Sequence, residues 1–112
     1  MKLYFSPGAC SLASHIALRE AGLTFEAVKV EGRGPKTAGG ENYAGVTAKG
    51  YVPALRLDDG QVLTEGTAIL PYIADQAPAS KLAPACGTMP RYRLHEWLGY
   101  INSEVHKAFG PF

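Results

Sequence analysis

Cys10 lies in the stretch PGACS, between the short apolar run KLYF and a segment of helical pattern, SLASHIALREAG. A thiol at the mouth of a helix meets free N–H groups and the positive end of the helix dipole, which favour an anion by roughly 0.3–1 kcal/mol. Such a site can draw a thiol below its free pKa of about 8.5 and make it reactive. The alternative is a small buried hydrophobe. A resolving cysteine three residues on is missing, because position 13 is Ala13, so thiol exchange at Cys10 needs an external thiol. Ser11 offers a hydroxyl at the same helix start, or serves only as a good first-turn residue.

Two further segments have the chemistry of a binding site. In GYVPAL, Val52-Pro53 precedes a strand; a cis-proline close to the helix-start cysteine leaves the Val52 backbone open to pair with a peptide-like ligand by strand addition. In TEGTA, Glu65 and Thr67 put a carboxylate beside the free N–H groups of a helix start, a combination that suits a ligand carrying both an ammonium and a carboxylate. An ordinary helix cap is the plainer reading. Near the C-terminus, Gly99, Asn102, Ser103 and His106 recur three or four apart and share a polar helix face, whereas His15 and His95 read as structural or surface residues.

The elements that must position these residues follow from pattern. KLYF is a strand stopped by Ser6-Pro7-Gly8, and the helix after it carries Leu12, Ile16 and Leu18 or Arg19 at helical spacing and stops at Gly22. TFEAVKV predicts a second strand, and the glycine-rich EGRGPKTAGGENYAG a loop with one helical turn near residues 41–44. VPALRL and QVLT around Asp58-Asp59-Gly60 predict a hairpin. A helix over TEGTAILPYIADQAP follows, with Thr64 as N-cap and a kink at Pro71. The order β-α-β, loop, β-β-α over residues 1–77 gives a mixed four-stranded sheet and matches the thioredoxin-like α/β fold. Residues 78–88 read as an Ala/Pro linker. Residues 89–112 read as a helix with a seam of Leu94, Leu98, Ile101 and Val105 that needs something to pack on.

Composition narrows the partners. A chain of 112 residues, 46% hydrophobic with net charge +1, buries one modest core and has no basic block for nucleic acid or anionic membrane. It lacks a signal-type apolar segment and any run near the roughly 18 apolar residues of a membrane span, so it is read as soluble and cytoplasmic. Cys10 and Cys86 fit neither a disulfide framework nor a metal site, and no metal is expected.

With KLYFSPGACSLASHIALREAG, KGYVPAL, LTEGTAILPYIA and EWLGYINSEVHKAFGPF in order across nearly the whole chain, the sequence resembles a bacterial glutathione transferase of the beta class. The resemblance implies a thioredoxin-like glutathione-binding domain followed by the first helix of an all-α domain. It also implies a cytoplasmic homodimer that transfers the glutathione thiolate to a small electrophile. It makes Cys10, Ser11 and His106 the catalytic candidates. Val52, ahead of cis Pro53, would pair with the cysteinyl backbone. Glu65, Gly66 and Thr67 would hold the γ-glutamyl end, and Lys36 the glycyl carboxylate. Lys107 would approach the sulfur with His106, and Ser103 and Glu104 would fall at the partner subunit's glutathione.

Three positions depart from that pattern. Gly66 stands where a serine hydroxyl usually grips the γ-glutamyl carboxylate; one lost hydrogen bond to a charged group is worth roughly 1.5–3 kcal/mol, which predicts weaker glutathione binding. Gly99 replaces a usual asparagine, and Thr47-Ala48 a customary asparagine. Family chains also continue for about as many residues again. If nothing follows Phe112, glutathione binding is expected to outlast conjugation. Two other functions stay open: a glutathione-dependent thiol-disulfide reductase or peroxidase with Cys10 as nucleophile, and a non-catalytic glutathione-binding or interaction module.

Overall fold

The computed structural model describes residues 1–31 and 36–110. Part of the glycine-rich loop, residues 32–35, and the last two residues lie outside the described residues. The elements are β1 (Lys2–Phe5), α1 (Ser11–Glu20), β2 (Glu26–Lys29), β3 (Ala54–Arg56), β4 (Val62–Thr64), α2 (Gly66–Gln76) and α3 (Met89–Tyr100). A 3₁₀ turn at Tyr43–Gly45 lies one to two residues beyond the predicted helical turn.

The sheet runs β2-β1-β3-β4, with β1 and β2 parallel and the other two pairs antiparallel, so it is the mixed sheet that the element order predicts. The crossover through α1 forces the parallel pair, and Gly60, at φ +89°, makes the Asp58-Asp59-Gly60 turn that forces the hairpin. Alternation along β1 sends its side chains to two layers. Leu3 joins Leu18, Leu55, Ile69 and Ile73 between sheet and helices. Tyr4 joins Val30, Tyr43, Val46 and Ala54 on the opposite face, under the loop that leads into β3. The Tyr4 hydroxyl donates to Glu41 Oε1 at 2.8 Å and the Tyr43 hydroxyl to the Tyr51 carbonyl at 2.6 Å. Burial pushes both phenols up to about 12, with the Glu41 bond adding to the effect at Tyr4.

Three expectations change. In α1 the buried face is Ser11, Ser14 and Leu18, while Leu12 and Ile16 are 56% and 52% exposed. The 3.6-residue period allows either face inward, and the small serines face the buried side. Glu65, not Thr64, occupies the cap position of α2, because Thr64 is still the last residue of β4. The helix predicted over this segment is present, with Pro71 buried inside it. The single helix predicted over 89–112 divides, within the described residues, into α3, a π turn at Ile101–Val105 and a short α turn at His106–Ala108. At that junction Ser103 Oγ donates to the Gly99 carbonyl at 2.8 Å. No helix among the described residues is long and apolar enough to cross a membrane.

Candidate functional site

A cleft of about 410 Å³ opens between the start of α1, the segment before β3, the start of α2 and the outer end of α3. That volume falls in the range of ordinary small-molecule sites, roughly 300–1,000 Å³. Its first wall begins where β1 ends. Ala9 N donates to the Ser6 carbonyl at 3.1 Å across Pro7-Gly8, and Gly8 takes φ +73°, a conformation that glycine adopts without a Cβ penalty. The turn delivers Cys10 to the cap position of α1, exposed on the cleft. Ser11 locks it there from below. Fully buried, its Oγ accepts from Ser6 N at 3.2 Å and donates to Ser6 O at 3.3 Å, so its hydroxyl serves the backbone and is not among the groups lining the cleft.

Facing Cys10 is the segment Tyr51-Val52-Pro53, with a cis Val52-Pro53 bond. The Tyr43 hydroxyl anchors it through the Tyr51 carbonyl, and the Cys10 thiol donates to the Val52 carbonyl at 3.4 Å. The third side is the start of α2. Glu65 adopts φ +72°, ψ 126°, a conformation that costs a non-glycine residue about 1–3 kcal/mol. The first intrahelical bonds come from Ala68 and Ile69 to the Glu65 carbonyl, which leaves the N–H groups of Gly66 and Thr67 ahead of them without intrahelical acceptors. A carboxylate and two free donors therefore meet at one end of the cleft.

The fourth wall is Leu98, Ile101, Asn102 and His106. With the displaced Leu12 and Ile16 of α1, and with Leu70, it makes an apolar surface above the polar floor. What holds this wall in place is Arg91, the buried residue of α3. Its guanidinium donates to Asp75 Oδ1 at 2.9 Å and Oδ2 at 2.8 Å, to the Pro84 carbonyl at 3.0 Å, and through Nε to His95 Nε2 at 3.0 Å. The fork ties α3 to α2 and to the intervening segment at once. The same bonds hold the Asp75 carboxyl below the usual carboxylate range and raise Arg91.

Cys10, Val52, Pro53, Glu65, Gly66, Thr67 and His106 thus share one cleft, as the sequence reading grouped them. Lys36, Ser11, Ser103, Glu104 and Lys107 do not line it. The Lys36 backbone makes a β-bridge with Asn42 in the loop, and Ser103 turns back on its own helix. Sequence reasoning missed Lys49, whose Nζ lies 3.1 Å from Thr64 Oγ1 and 3.4 Å from Glu65 Oε1, and it missed Asn102 as a cleft residue and Arg91. The fixed spacing between KGYVP and TEGT was the available signal for Lys49, since the hairpin must bring the two ends together.

A cysteine at the mouth of the first helix, a cis-proline segment opposite it and a mixed four-stranded sheet beneath define the thioredoxin-like fold in its glutathione-transferase form. Residues 8–76 match the family described as Glutathione S-transferase, N-terminal domain, and the chain belongs to that family. Glutathione S-transferase GstA of Escherichia coli O157:H7 is 50% identical over 111 residues, which cover 99% of this chain and 55% of that protein. A sphingomonad glutathione S-transferase solved in complex with glutathione superposes with TM-score 0.96 at 61% identity, over 99% of this chain and 55% of that one. A bacterial beta class enzyme from Sphingomonas chungbukensis gives TM-score 0.96 at 57% identity, with 99% and 55% covered. The chain therefore spans about half the length of the curated relatives it matches.

Proposed function

We propose that the cleft binds glutathione and that the chain serves glutathione S-transfer to a small electrophile. The observation that carries this reading is the convergence of Cys10, the Val52-Pro53 segment, Glu65 with the free N–H groups of α2, and His106 on one cavity. The cysteinyl backbone of glutathione pairs with Val52 in the manner of an added strand. Its γ-glutamyl ammonium meets Glu65, and its γ-glutamyl carboxylate meets the N–H groups of Gly66 and Thr67. This placement directs the sulfur toward Cys10 and His106. Held there, the thiol loses its proton more readily. The thiolate then forms a C–S bond to an electrophilic carbon lodged against Leu12, Ile16, Leu98 and Ile101, and the leaving group departs with the bonding electrons. A homodimer in a reducing cytoplasm completes the reading, which the two free thiols and the family membership support.

Cys10→Ala tests which sulfur attacks. Under this reading, nitroaryl conjugation by the purified protein persists in the variant. Loss of disulfide-reducing turnover in the variant, together with a Cys10–glutathione mixed disulfide formed by the unsubstituted chain on exchange with oxidised glutathione, one glutathione leaving as thiolate, and detected by intact mass, moves the nucleophile to Cys10 and makes the protein a thiol-disulfide reductase. Absence of glutathione binding by calorimetry overturns both.

A further inference from the structure

We propose that Lys49 is a specificity-determining residue of this cleft, forming with Glu65 a two-charge clasp that reads the α-ammonium and α-carboxylate of the γ-glutamyl group together. The inference rests on the glutathione reading above and assigns a role to a residue which that reading leaves idle.

Lys49 is the only lysine or arginine that lines the cleft among the described residues. It stands at the same end as the start of α2, its ammonium held between Thr64 Oγ1 and Glu65 Oε1 at 3.1 and 3.4 Å. The ligand end expected there carries one positive and one negative charge. Glu65 supplies the counter-charge for the ammonium. For the carboxylate, Gly66 has no hydroxyl, so the other donors are backbone N–H groups with only the partial charge of a helix end. Lys49 supplies the full positive charge that this set otherwise lacks.

The pair is also easily opened. Lys49 and Glu65 are each 55% exposed, and exposed ion pairs of this kind hold weakly. A zwitterionic ligand replaces one weak pair by two: its ammonium takes a Glu65 oxygen while Lys49 follows the carboxylate. The four charges then alternate around the end of the cleft. A ligand with only one of the two charges leaves either Glu65 or Lys49 uncompensated, so the clasp selects for an intact amino-acid terminus.

Calorimetric titrations of the 112-residue chain and its Lys49→Met and Lys49→Arg variants test this. The ligands are glutathione, 4-aminobutyryl-Cys-Gly (no α-carboxylate), glutaryl-Cys-Gly (no amine) and the glycyl ethyl ester of glutathione. Lys49→Met is expected to weaken glutathione on the order of tenfold, as for loss of one charge-assisted bond. It should narrow the preference for glutathione over the decarboxy analogue by about the same factor, leaving only the share owed to the Gly66 and Thr67 N–H groups, while still losing affinity for the deamino analogue, and Lys49→Arg should restore most of the difference. Three results overturn the clasp: unchanged glutathione affinity in Lys49→Met, an equal loss for glutathione and the decarboxy analogue, or coupling to the glycyl ester in place of the α-carboxylate. If the unsubstituted chain binds no glutathione, the underlying reading fails as well, a result distinct from binding without coupling.

Discussion

Asp75→Asn is the most informative perturbation of the structure, because Arg91 is the buried residue through which α3 is tied to the rest of the chain. The substitution keeps the shape of the side chain, removes its charge and turns one acceptor into a donor that opposes the guanidinium. Two charge-assisted hydrogen bonds at 2.9 and 2.8 Å are lost or reduced to one neutral bond. Bonds to charged groups are worth roughly 1.5–3 kcal/mol each, and stripping the partner from a fully buried charge costs about 3–5 kcal/mol. Arg91 is only 3% exposed, but the Asp75 side chain is 46% exposed and screened by water, so the low end applies, about 2–3 kcal/mol. That loss falls on the docking of α3, because the core of Leu3, Leu18, Leu55, Ile69 and Ile73 does not involve Arg91. At about 1.4 kcal/mol per factor of ten, amide exchange in α3 should accelerate roughly 30- to 100-fold, while amides of β1 and β3 keep their rates. Hydrogen exchange read by mass spectrometry on peptides from the two regions decides it. Equal acceleration in both would show that the pair supports the whole fold, and no acceleration in α3 would show that Arg91 does not hold the wall.

Two smaller predictions follow from burial. Ser14 is 1% exposed and its Oγ has no hydrogen-bond partner among the described residues. Ser14→Ala should therefore stabilise the chain by about 1 kcal/mol, combining better helix propensity with removal of a buried unpaired hydroxyl; a lower urea midpoint for the variant would contradict this. Tyr4 and Tyr43, with folded pKa values raised to about 12 from 10, favour the native state while both phenols are neutral. Their contribution is full below the unfolded value of 10 and is lost as pH rises through about 12. Tyrosinate absorbance should lag for two of the six tyrosines, with the urea midpoint falling across that window. A flat midpoint from pH 10 to 12 would count against it.

Much of the frame was legible because it depends on local chemistry. Pro7-Gly8 and Asp58-Asp59-Gly60 punctuate the chain, and the strand pattern around them predicted a parallel first pair and an antiparallel last pair; the central pairing of β1 with β3 came only from the structure. The inward face of α1 was not legible. Leu12 and Ile16 share one helical face and Leu18 lies nearly opposite them, so the pattern left two candidate inward faces, and only the packed structure shows that Ser11, Ser14 and Leu18 face the buried side while Leu12 and Ile16 look into the cleft. Arg91 was hidden for a similar reason: nothing local marks a basic residue in a polar helix as buried, since its three partners come from Asp75, Pro84 and His95. Lys36 and Lys107 lie off the cleft of this chain, and Ser103 and Glu104, expected at a partner subunit's glutathione, belong to a surface that a single chain does not complete.

These two kinds of residue build two different walls. The wall of Cys10, Val52 and Glu65 grows from the sheet and both helices packed on it, so its geometry is fixed by the main core. The wall of Leu98, Ile101, Asn102 and His106 is built on α3 and the π turn and short α turn that follow it, and is secured through the fork on Asp75. Under the proposed function the first wall recognises glutathione and the second meets the electrophile. Asp75→Asn should then separate them, leaving the affinity for glutathione close to unchanged while raising KM for the apolar second substrate. If glutathione affinity fell as much as affinity for the electrophile, the outer wall would be part of the glutathione site, and His106 rather than Leu98 and Ile101 would be the reason α3 must stay docked.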